Sequence, residues 1–166
     1  LSSISGVSTI TIMTRQEKND HGYILSCSEG IAGENPIEAP MTKGTSITVT
    51  NLFESIPARK KFLKTKESEW NAIKQTFIAL ASVNFSIYFI LEHEDKIVYT
   101  LPITANYEQR ITQLTQAQHN VTMLNCHYQD TCMTIEGKIS SPEFGHYDRS
   151  NIYIIINKRP IKQYKI

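Results

Sequence analysis

The sequence predicts a mixed fold of helices and strands, α/β or α+β in class, arranged as two lobes. Its first third alternates β-branched with polar side chains, which is the period-two pattern of a strand. Beyond about residue 57, apolar residues recur three and four positions apart, which is the period of a helix. Since the pattern changes over residues 52–66, we expect the boundary between the lobes to fall there.

The first lobe is predicted to consist of strands joined by a turn and a loop. The stretches GVSTITIMTR and YILSCS flank the polar turn KNDHG, so they predict a β-hairpin. Residues 29–43 contain Gly and Pro without any period, which indicates a loop. The following stretch, TSITVTN, alternates again and places Ile47 and Val49 on one face of a further strand.

The second lobe is predicted to begin with helix and to continue mainly as strands. Pro57 is suited to the first turn of a helix through ARKKFL, and Thr65 is suited to the N-cap of the next helix. The spacing in that next helix predicts one core-facing set of side chains: Trp70, Ile73, Phe77 and Leu80.

The remaining elements follow from the same two periods. Residues 85–91 and 97–101 are predicted as strands around a turn at 93–95, and YEQRITQLTQ as an amphipathic helix. VTMLNCHYQD and TCMTIEGKIS predict a further strand pair. NIYIIINK is apolar on both faces, so it predicts a central strand of a mixed sheet with the helices layered against it.

Composition limits the classes of function. The chain has 166 residues, 40% of them hydrophobic, and a formal net charge of +1, so nucleic-acid binding would have to rest on local basic patches. No apolar run approaches the ~20 residues of a membrane span. The odd count of 3 cysteines indicates a reducing compartment, and the spacing of Cys126, His127 and Cys132 does not predict a metal site. Because the chain opens at Leu1 without an initiator Met, we expect it to be a piece of a longer protein.

Three groups of residues are candidates for binding. Gly44 lets a ligand approach the backbone and the Thr45 hydroxyl can bond a base edge, although a loop glycine before an edge strand is the commoner meaning of this pair. Two basic clusters could meet phosphate, although solvated surface is the commoner alternative for both. The first contains Arg59, Lys60, Lys61, Lys64 and Lys66; the second contains Lys158, Arg159, Lys162 and Lys165.

The stretch GTSITVTNLFESIPARKKFLKTKESEW resembles the signature of MutL-type DNA mismatch repair proteins. That signature runs from Gly-Thr through a short strand and Leu-Phe to a Pro-Ala-Arg-x-Lys-Phe-Leu core. LSSIS at the start is similar to the end of the family's Gly-Glu-Ala-Leu-x-Ser-Ile motif, and IYIIINKRPIKQYKI is similar to its Val-Asn-Gly-Arg strand exit. Some positions differ, since Glu54, Ser55 and Ile56 replace an aromatic residue, Asn and Thr, and Lys158 replaces a frequent Gly.

The resemblance implies a specific fold. The family belongs to the GHKL ATPases, so residues 1–52 would be the C-terminal part of the ATP-binding lobe. Residues 53–66 would be a connecting loop and short helix. Residues 67–166 would be a transducer lobe similar to domain 2 of ribosomal protein S5, truncated at its C-terminus. Gly44 and Thr45 would then belong to the nucleotide site.

The resemblance also implies a function. The intact protein would bind ATP with Mg²⁺, hydrolyse ATP slowly, dimerise, and bind DNA through Arg159, Lys162 and Lys165 or through Arg59, Lys60 and Lys61. It would couple mismatch recognition by a MutS-type partner to downstream repair, at the nucleoid of a bacterium or in a eukaryotic nucleus. The family's catalytic carboxylate precedes Leu1, so this chain alone would bind no cofactor and would be inactive. The alternative is a non-catalytic nucleic-acid-binding module on an S5-like fold, which would need no nucleotide.

Overall fold

The computed structural model describes residues 1–33, 35–116, 122–144 and 152–161. The chain divides into two compact units, unit 1 (Leu1–Thr65) and unit 2 (Lys66–Ile166). Each unit combines helices with antiparallel strands, which confirms the mixed fold class. The assignment of residue ranges to particular domains of the resembled family stays a prediction.

Unit 1 is an antiparallel sheet with a short helix towards each end of its chain. Its elements are α1 (Ser2–Ser5), β1 (Thr9–Arg15), β2 (Gly22–Ser28), β3 (Ile31–Ala32), β4 (Ile37–Ala39), β5 (Gly44–Thr50) and α2 (Pro57–Lys60). The strands lie in the order β3-β2-β1-β5, with β4 also pairing with β2. The predicted hairpin is thus β1–β2, with Ile12 opposite Leu25.

Two predictions for unit 1 need correction. Residues 29–43 are more than a loop, because β3 and β4 form there and both pair with β2. These short strands form because their backbone N–H and C=O groups pair with those along an edge of β2 that would otherwise be open. The helix predicted from Pro57 through ARKKFL ends at Lys60, and Phe62 and Leu63 continue as turns whose amides bond to Arg59 and Lys60.

In its described residues, unit 2 combines two longer helices with three antiparallel strand pairs. Its elements are α3 (Lys66–Val83), β6 (Phe89–His93), β7 (Lys96–Leu101), α4 (Tyr107–Gln116), β8 (Met123–Gln129), β9 (Thr134–Ser140), a 3₁₀ turn (Pro142–Phe144), β10 (Ile154–Ile156) and β11 (Arg159–Ile161). The pairs are β6–β7, β8–β9 and β10–β11.

The core of unit 2 forms where α3 and α4 pack beside β7. Its buried members are Ile78, Ala81, Tyr99, Leu101 and Leu114. Phe77 and Phe89 both pack against this core, and their rings meet edge to face with centroids 5.9 Å apart. The predicted core face of α3 was partly wrong, because Ile73 and Leu80 are about half exposed. Phe77, Ile78, Ala81 and Ser82 share the inner face instead, and the small Ala81 lets α3 approach its neighbours closely.

One buried arginine fixes the turn that precedes β6. The guanidinium of Arg110, which has 0% exposure, donates from Nη2 to the carbonyls of Phe85 and Ile87 at 2.9 and 2.6 Å. Burial lowers the pKa of this guanidinium. Because residues 84–87 form this anchored turn, the strand predicted from residue 85 begins only at Phe89.

NIYIIINK was expected to be a central strand, and that expectation was wrong for the described residues. Only Ile154–Ile156 is extended, and within residues 152–161 it pairs with β11 alone. Asn157 and Lys158 both have positive φ, 49° and 63°, which turns the chain straight back as a tight hairpin. Asn157 and Lys158, which the sequence pattern had predicted as strand, therefore form the turn.

Candidate functional site

One face of the unit 1 sheet is apolar over most of its area and polar at one end. Paired residues of antiparallel strands project to the same side of a sheet, so the register identifies this face. We call it the apolar face. Its rows are Cys27, Ile10 and Val49; Leu25, Ile12 and Ile47; and, at the polar end, Tyr23, Thr14 and Thr45.

The apolar face is only partly covered by the described residues. Ile10 is buried at 2% exposure, whereas Ile47 and Val49 on β5 are 46% and 43% exposed. In the order of strands β5 lies at the edge of the described sheet, with β1 as its neighbour. A flat apolar ligand could therefore lie along β1 and β5 and reach the hydroxyls at the polar end.

The polar end is built from a pair of threonines and a glycine. The hydroxyl oxygens of Thr14 and Thr45 lie 2.8 Å apart, and the Thr14 hydroxyl also donates to the Gly44 carbonyl at 3.4 Å. Gly44 has φ +135°, a conformation that favours glycine, and a Cβ added there would meet no atom within 4 Å. Backbone and hydroxyl groups are thus open to a ligand at this point.

Sequence reasoning named Gly44 and Thr45 as candidates and did not name Thr14, which the structure places beside them. The reason is that Thr14 joins the pair only through the β1–β5 register, which aligns residues 31 positions apart. The available signal was the period of GVSTITIMTR, which puts Thr14 on the same face as Ile10 and Ile12.

The other face of the same sheet is lined with hydroxyls. Thr9 and Ser28 lie 3.2 Å apart through their hydroxyl oxygens, and Thr11 and Ser26 lie 3.3 Å apart. Thr48 projects to this side, opposite Thr11. These pairs are exposed cross-strand contacts of the kind that stabilise a solvated sheet face, and they supply matched control positions for the polar end.

Arg59, Lys60 and Lys61 of the first basic cluster lie on α2 and just after it, whereas Lys66 opens α3 in unit 2. Arg59, Lys60 and Lys61 are all exposed. Lys60 is engaged by Glu54, with Nζ and Oε2 2.6 Å apart. Phe62 projects beside these cations and is 85% exposed. Arg59 and Lys61 are thus exposed cations that neighbour the exposed ring of Phe62 in sequence.

The second basic cluster is described only in part. Lys158 and Arg159 are exposed at the β10–β11 turn of unit 2. Lys162 and Lys165 lie outside the described residues. The DNA-binding role predicted for Arg159, Lys162 and Lys165 therefore stays a prediction.

Other titratable groups with shifted pKa values serve structure in unit 2. Backbone amides of Cys132 and Met133 donate to the Asp130 carboxylate at 2.7 and 2.8 Å, which lowers the pKa of Asp130. Burial, and then the charge of Glu136, raise the pKa of Tyr107. In the described part of the chain, no three His, Cys, Asp or Glu side chains come together as a metal site. Nor is any helix there long and apolar enough to span a membrane.

Known proteins similar to this chain are MutL proteins. The MutL protein of Flavobacterium johnsoniae is 30% identical over 98% of the chain, and that of Christiangramia forsetii is 32% identical over 98%. The chain spans about a quarter of the length of these curated relatives, 25% and 26%. No family profile matches the chain.

Solved structures agree with these relatives. The Aquifex aeolicus MutL ATPase domain complexed with ADP superposes with a TM-score of 0.80 at 25% identity, covering 98% of this chain and 62% of that one. Another structure of the same ATPase domain gives a TM-score of 0.75 at 23% identity, covering 97% and 60%. The resemblance drawn from the sequence motifs, including the GHKL-type fold, is confirmed.

Proposed function

We propose that this chain, a MutL-type mismatch repair sequence matching about a quarter of its relatives' length, supplies one wall of an ATP site and part of a DNA-binding surface. The intact protein would act as an ATP-dependent switch that couples mismatch recognition to downstream repair. The observation that carries this proposal is the apolar face with its open polar end, in a chain similar over 98% of its length to a MutL ATPase domain complexed with ADP.

The shape and chemistry of the apolar face suit a nucleobase. A purine is flat and apolar on its faces and carries its hydrogen-bonding groups on its edge. Sites for such ligands are mainly apolar, with a small number of placed polar groups. Ile12 and Ile47 would lie beneath the ring, and Thr45 would meet the base edge, while Gly44 lets the backbone approach.

This chain would bind and orient the nucleotide and leave the chemistry to other parts of the intact protein. Bound Mg²⁺ would neutralise phosphate charge there, and it prefers carboxylate and phosphate oxygens with ordered waters. The polar end offers threonine hydroxyls and a glycine backbone. It therefore fits the base of ATP rather than the metal, and we expect the isolated chain to show no ATP turnover.

The proposed DNA surface uses basic side chains from either unit. Arg159, with Lys162 and Lys165, would contact phosphates, and Arg59, Lys60 and Lys61 are the alternative cluster. Phosphate contacts position a protein on DNA without reading its sequence, so binding should be insensitive to sequence. In this proposal, the partner of the intact protein is a MutS-type protein. The intact protein assembles as a homodimer, or as a heterodimer in a eukaryote, and it resides at the nucleoid or in the nucleus.

The nucleotide part is tested by replacing Thr45 with valine in the intact protein. Thr45→Val keeps the size of the side chain and removes its hydroxyl, so loss of about 1 kcal/mol per hydrogen bond predicts a several-fold rise in the ATP dissociation constant. Thr48→Val is the matched control, because Thr48 lies on the same strand and faces the opposite side. Equal affinities for the two variants would remove Thr45 from the site.

The DNA part is tested by the double reversal Arg159→Glu with Lys162→Glu. Each lost phosphate contact should reduce the slope of log binding constant against log salt by about 0.9 on duplex DNA. Lys96→Glu, an exposed change on β7 of the same unit, is the control. If the double reversal leaves the salt slope unchanged, this cluster is a solvated edge, and Arg59→Glu with Lys61→Glu becomes the next test.

A further inference from the structure

The hydroxyls of Thr14 and Thr45 form the one direct hydrogen bond described between side chains of β1 and β5. Their 2.8 Å separation is a good O–H···O distance, and both residues are exposed at the polar end of the apolar face. On β1 only Thr14 is placed to do this, because the neighbouring rows of this face carry apolar side chains. The Thr14 hydroxyl is therefore the side-chain partner of the Thr45 hydroxyl among the described residues.

Each hydroxyl has one proton and two lone pairs, so two arrangements are possible. In the first, Thr45 donates to Thr14, and Thr14 donates to the Gly44 carbonyl 3.4 Å away. In the second, Thr14 donates to Thr45, and the Thr45 proton is left without a partner in this group. The first arrangement satisfies both protons within the protein, so it is favoured once a bound base excludes water from the two hydroxyls.

The first arrangement presents the Thr45 oxygen to a ligand only as an acceptor. The 6-amino group of adenine is a donor and suits that oxygen directly. A 6-keto purine has an acceptor oxygen at C6 instead, which an acceptor-only Thr45 oxygen cannot pair with.

We infer that Thr14 is a positioning and specificity-determining residue, which holds the Thr45 hydroxyl as an acceptor and so selects 6-amino over 6-keto purine nucleotides. This inference rests on the proposed nucleotide site. Thr14 acts through Thr45 and does not itself touch the base. With a 6-keto purine, the Thr45 oxygen and the oxygen at C6 are both acceptors and stay unpaired. Leaving a polar group unpaired costs more binding free energy than one hydrogen bond contributes, and this difference is the source of the discrimination.

The test compares ATP with inosine triphosphate, which differs from ATP in having the 6-keto group and N1 proton. Equilibrium dissociation constants are measured on the intact protein for Thr14→Val, Thr14→Ala, Thr14→Ser and Thr45→Val. We expect the preference for ATP to fall by about 3- to 10-fold in Thr14→Val and Thr14→Ala, the range of one neutral hydrogen bond. Thr14→Ser keeps a hydroxyl and should keep the preference.

Controls separate this inference from the proposal beneath it. Thr11→Val removes a hydroxyl from β1 on the opposite face and should leave both dissociation constants unchanged. In the Thr45→Val background, adding Thr14→Val should change the preference for ATP no further. Thr14 acts only through the Thr45 hydroxyl, and that hydroxyl is already absent. Thermal unfolding of each variant shows whether it is folded, and Thr14→Ala provides a second variant if Thr14→Val is not.

The outcomes are distinct. If Thr45→Val leaves ATP affinity unchanged, the nucleotide site proposed at Thr45 fails, and the role of Thr14 fails with it. If Thr45→Val weakens ATP binding while Thr14→Val and Thr14→Ala keep the wild-type preference, the site stands and the role of Thr14 is overturned. Additive effects of Thr14→Val and Thr45→Val on the preference would also overturn it.

Discussion

Leu101→Ala should destabilise unit 2 strongly. Leu101 ends β7 at 1% exposure and packs in the core with Ile78, Ala81 and Leu114. Truncating a buried leucine removes its transfer free energy and leaves a cavity, a combined cost of about 2–5 kcal/mol. In a unit of this size, each kcal/mol lowers the melting temperature by roughly 4–8 °C. A cost of about 3 kcal/mol would thus lower it by roughly 10–25 °C.

Tryptophan fluorescence provides a specific assay for this change. The chain has 1 tryptophan, Trp70, which stacks on His93 with ring centroids 3.9 Å apart, so its emission reports on unit 2. Urea titrations of Leu101→Ala and of the control Ile73→Ala are compared with the wild type. Ile73 is 52% exposed on α3, so its truncation should cost less than about 1 kcal/mol.

The control also decides between two placements of Ile73. The sequence pattern predicted that it lies in the core, and the structure shows it half exposed. If Ile73→Ala lowers the urea midpoint as much as Leu101→Ala does, the described inner face of α3 is wrong. An unchanged midpoint for Leu101→Ala would contradict the core itself.

Three further predictions concern local geometry. Gly44→Ala should destabilise unit 1 by about 1–3 kcal/mol because φ is +135°, and a circular-dichroism melt that is unchanged would contradict that strain. The backbone hydrogen bonds that lower the pKa of Asp130 stabilise the β8–β9 turn while the carboxylate is ionised. This stabilisation is complete at pH values above the usual carboxyl pKa of 3.8, and it is lost as the pH falls through the lower pKa of the folded state. The protection of the Cys132 amide against exchange, relative to the intrinsic rate of an unstructured amide at each pH, should therefore fall in acid, and Asp130→Asn should remove that fall. The raised pKa of Tyr107 gives stability that is complete below its usual value of 10.0 and is lost as pH rises through the folded value. Tyr107→Phe should make alkaline unfolding of unit 2 less steep, and an identical alkaline profile would argue against a half-buried phenol.

The sequence predicted the elements whose pattern is local. The hairpin β1–β2, the helix α3 and the strand pair β8–β9 all follow from periods within their own residues. Prediction failed where distant residues decide. Arg110 ties down the turn before β6 from 23 and 25 positions away, and helical spacing alone could not choose between Ile73 and Ile78 for the inner face of α3. The tight turn at Asn157 and Lys158 was hidden because a lysine with positive φ is uncommon.

The candidate site shows the same division. Gly44 and Thr45 stand together in the sequence, and a motif could point to them. Thr14 lies 31 positions before Thr45, and only the strand register brings their hydroxyls together. The two basic clusters were visible as runs of charge, but the engagement of Lys60 by Glu54 was not, because it depends on how the chain turns before α2.

The central claim, that the apolar face of unit 1 is one wall of an ATP site, is tested most directly by hydrogen–deuterium exchange. Exchange of the intact protein is followed by mass spectrometry with and without saturating ATP, and with inosine triphosphate as a weaker ligand. We predict that ATP slows exchange in peptides covering β1 and β5, most at residues 44–47, and that inosine triphosphate slows it less. If ATP binds and protects other regions while residues 44–50 exchange at the same rate as without it, the apolar face is not part of the nucleotide site.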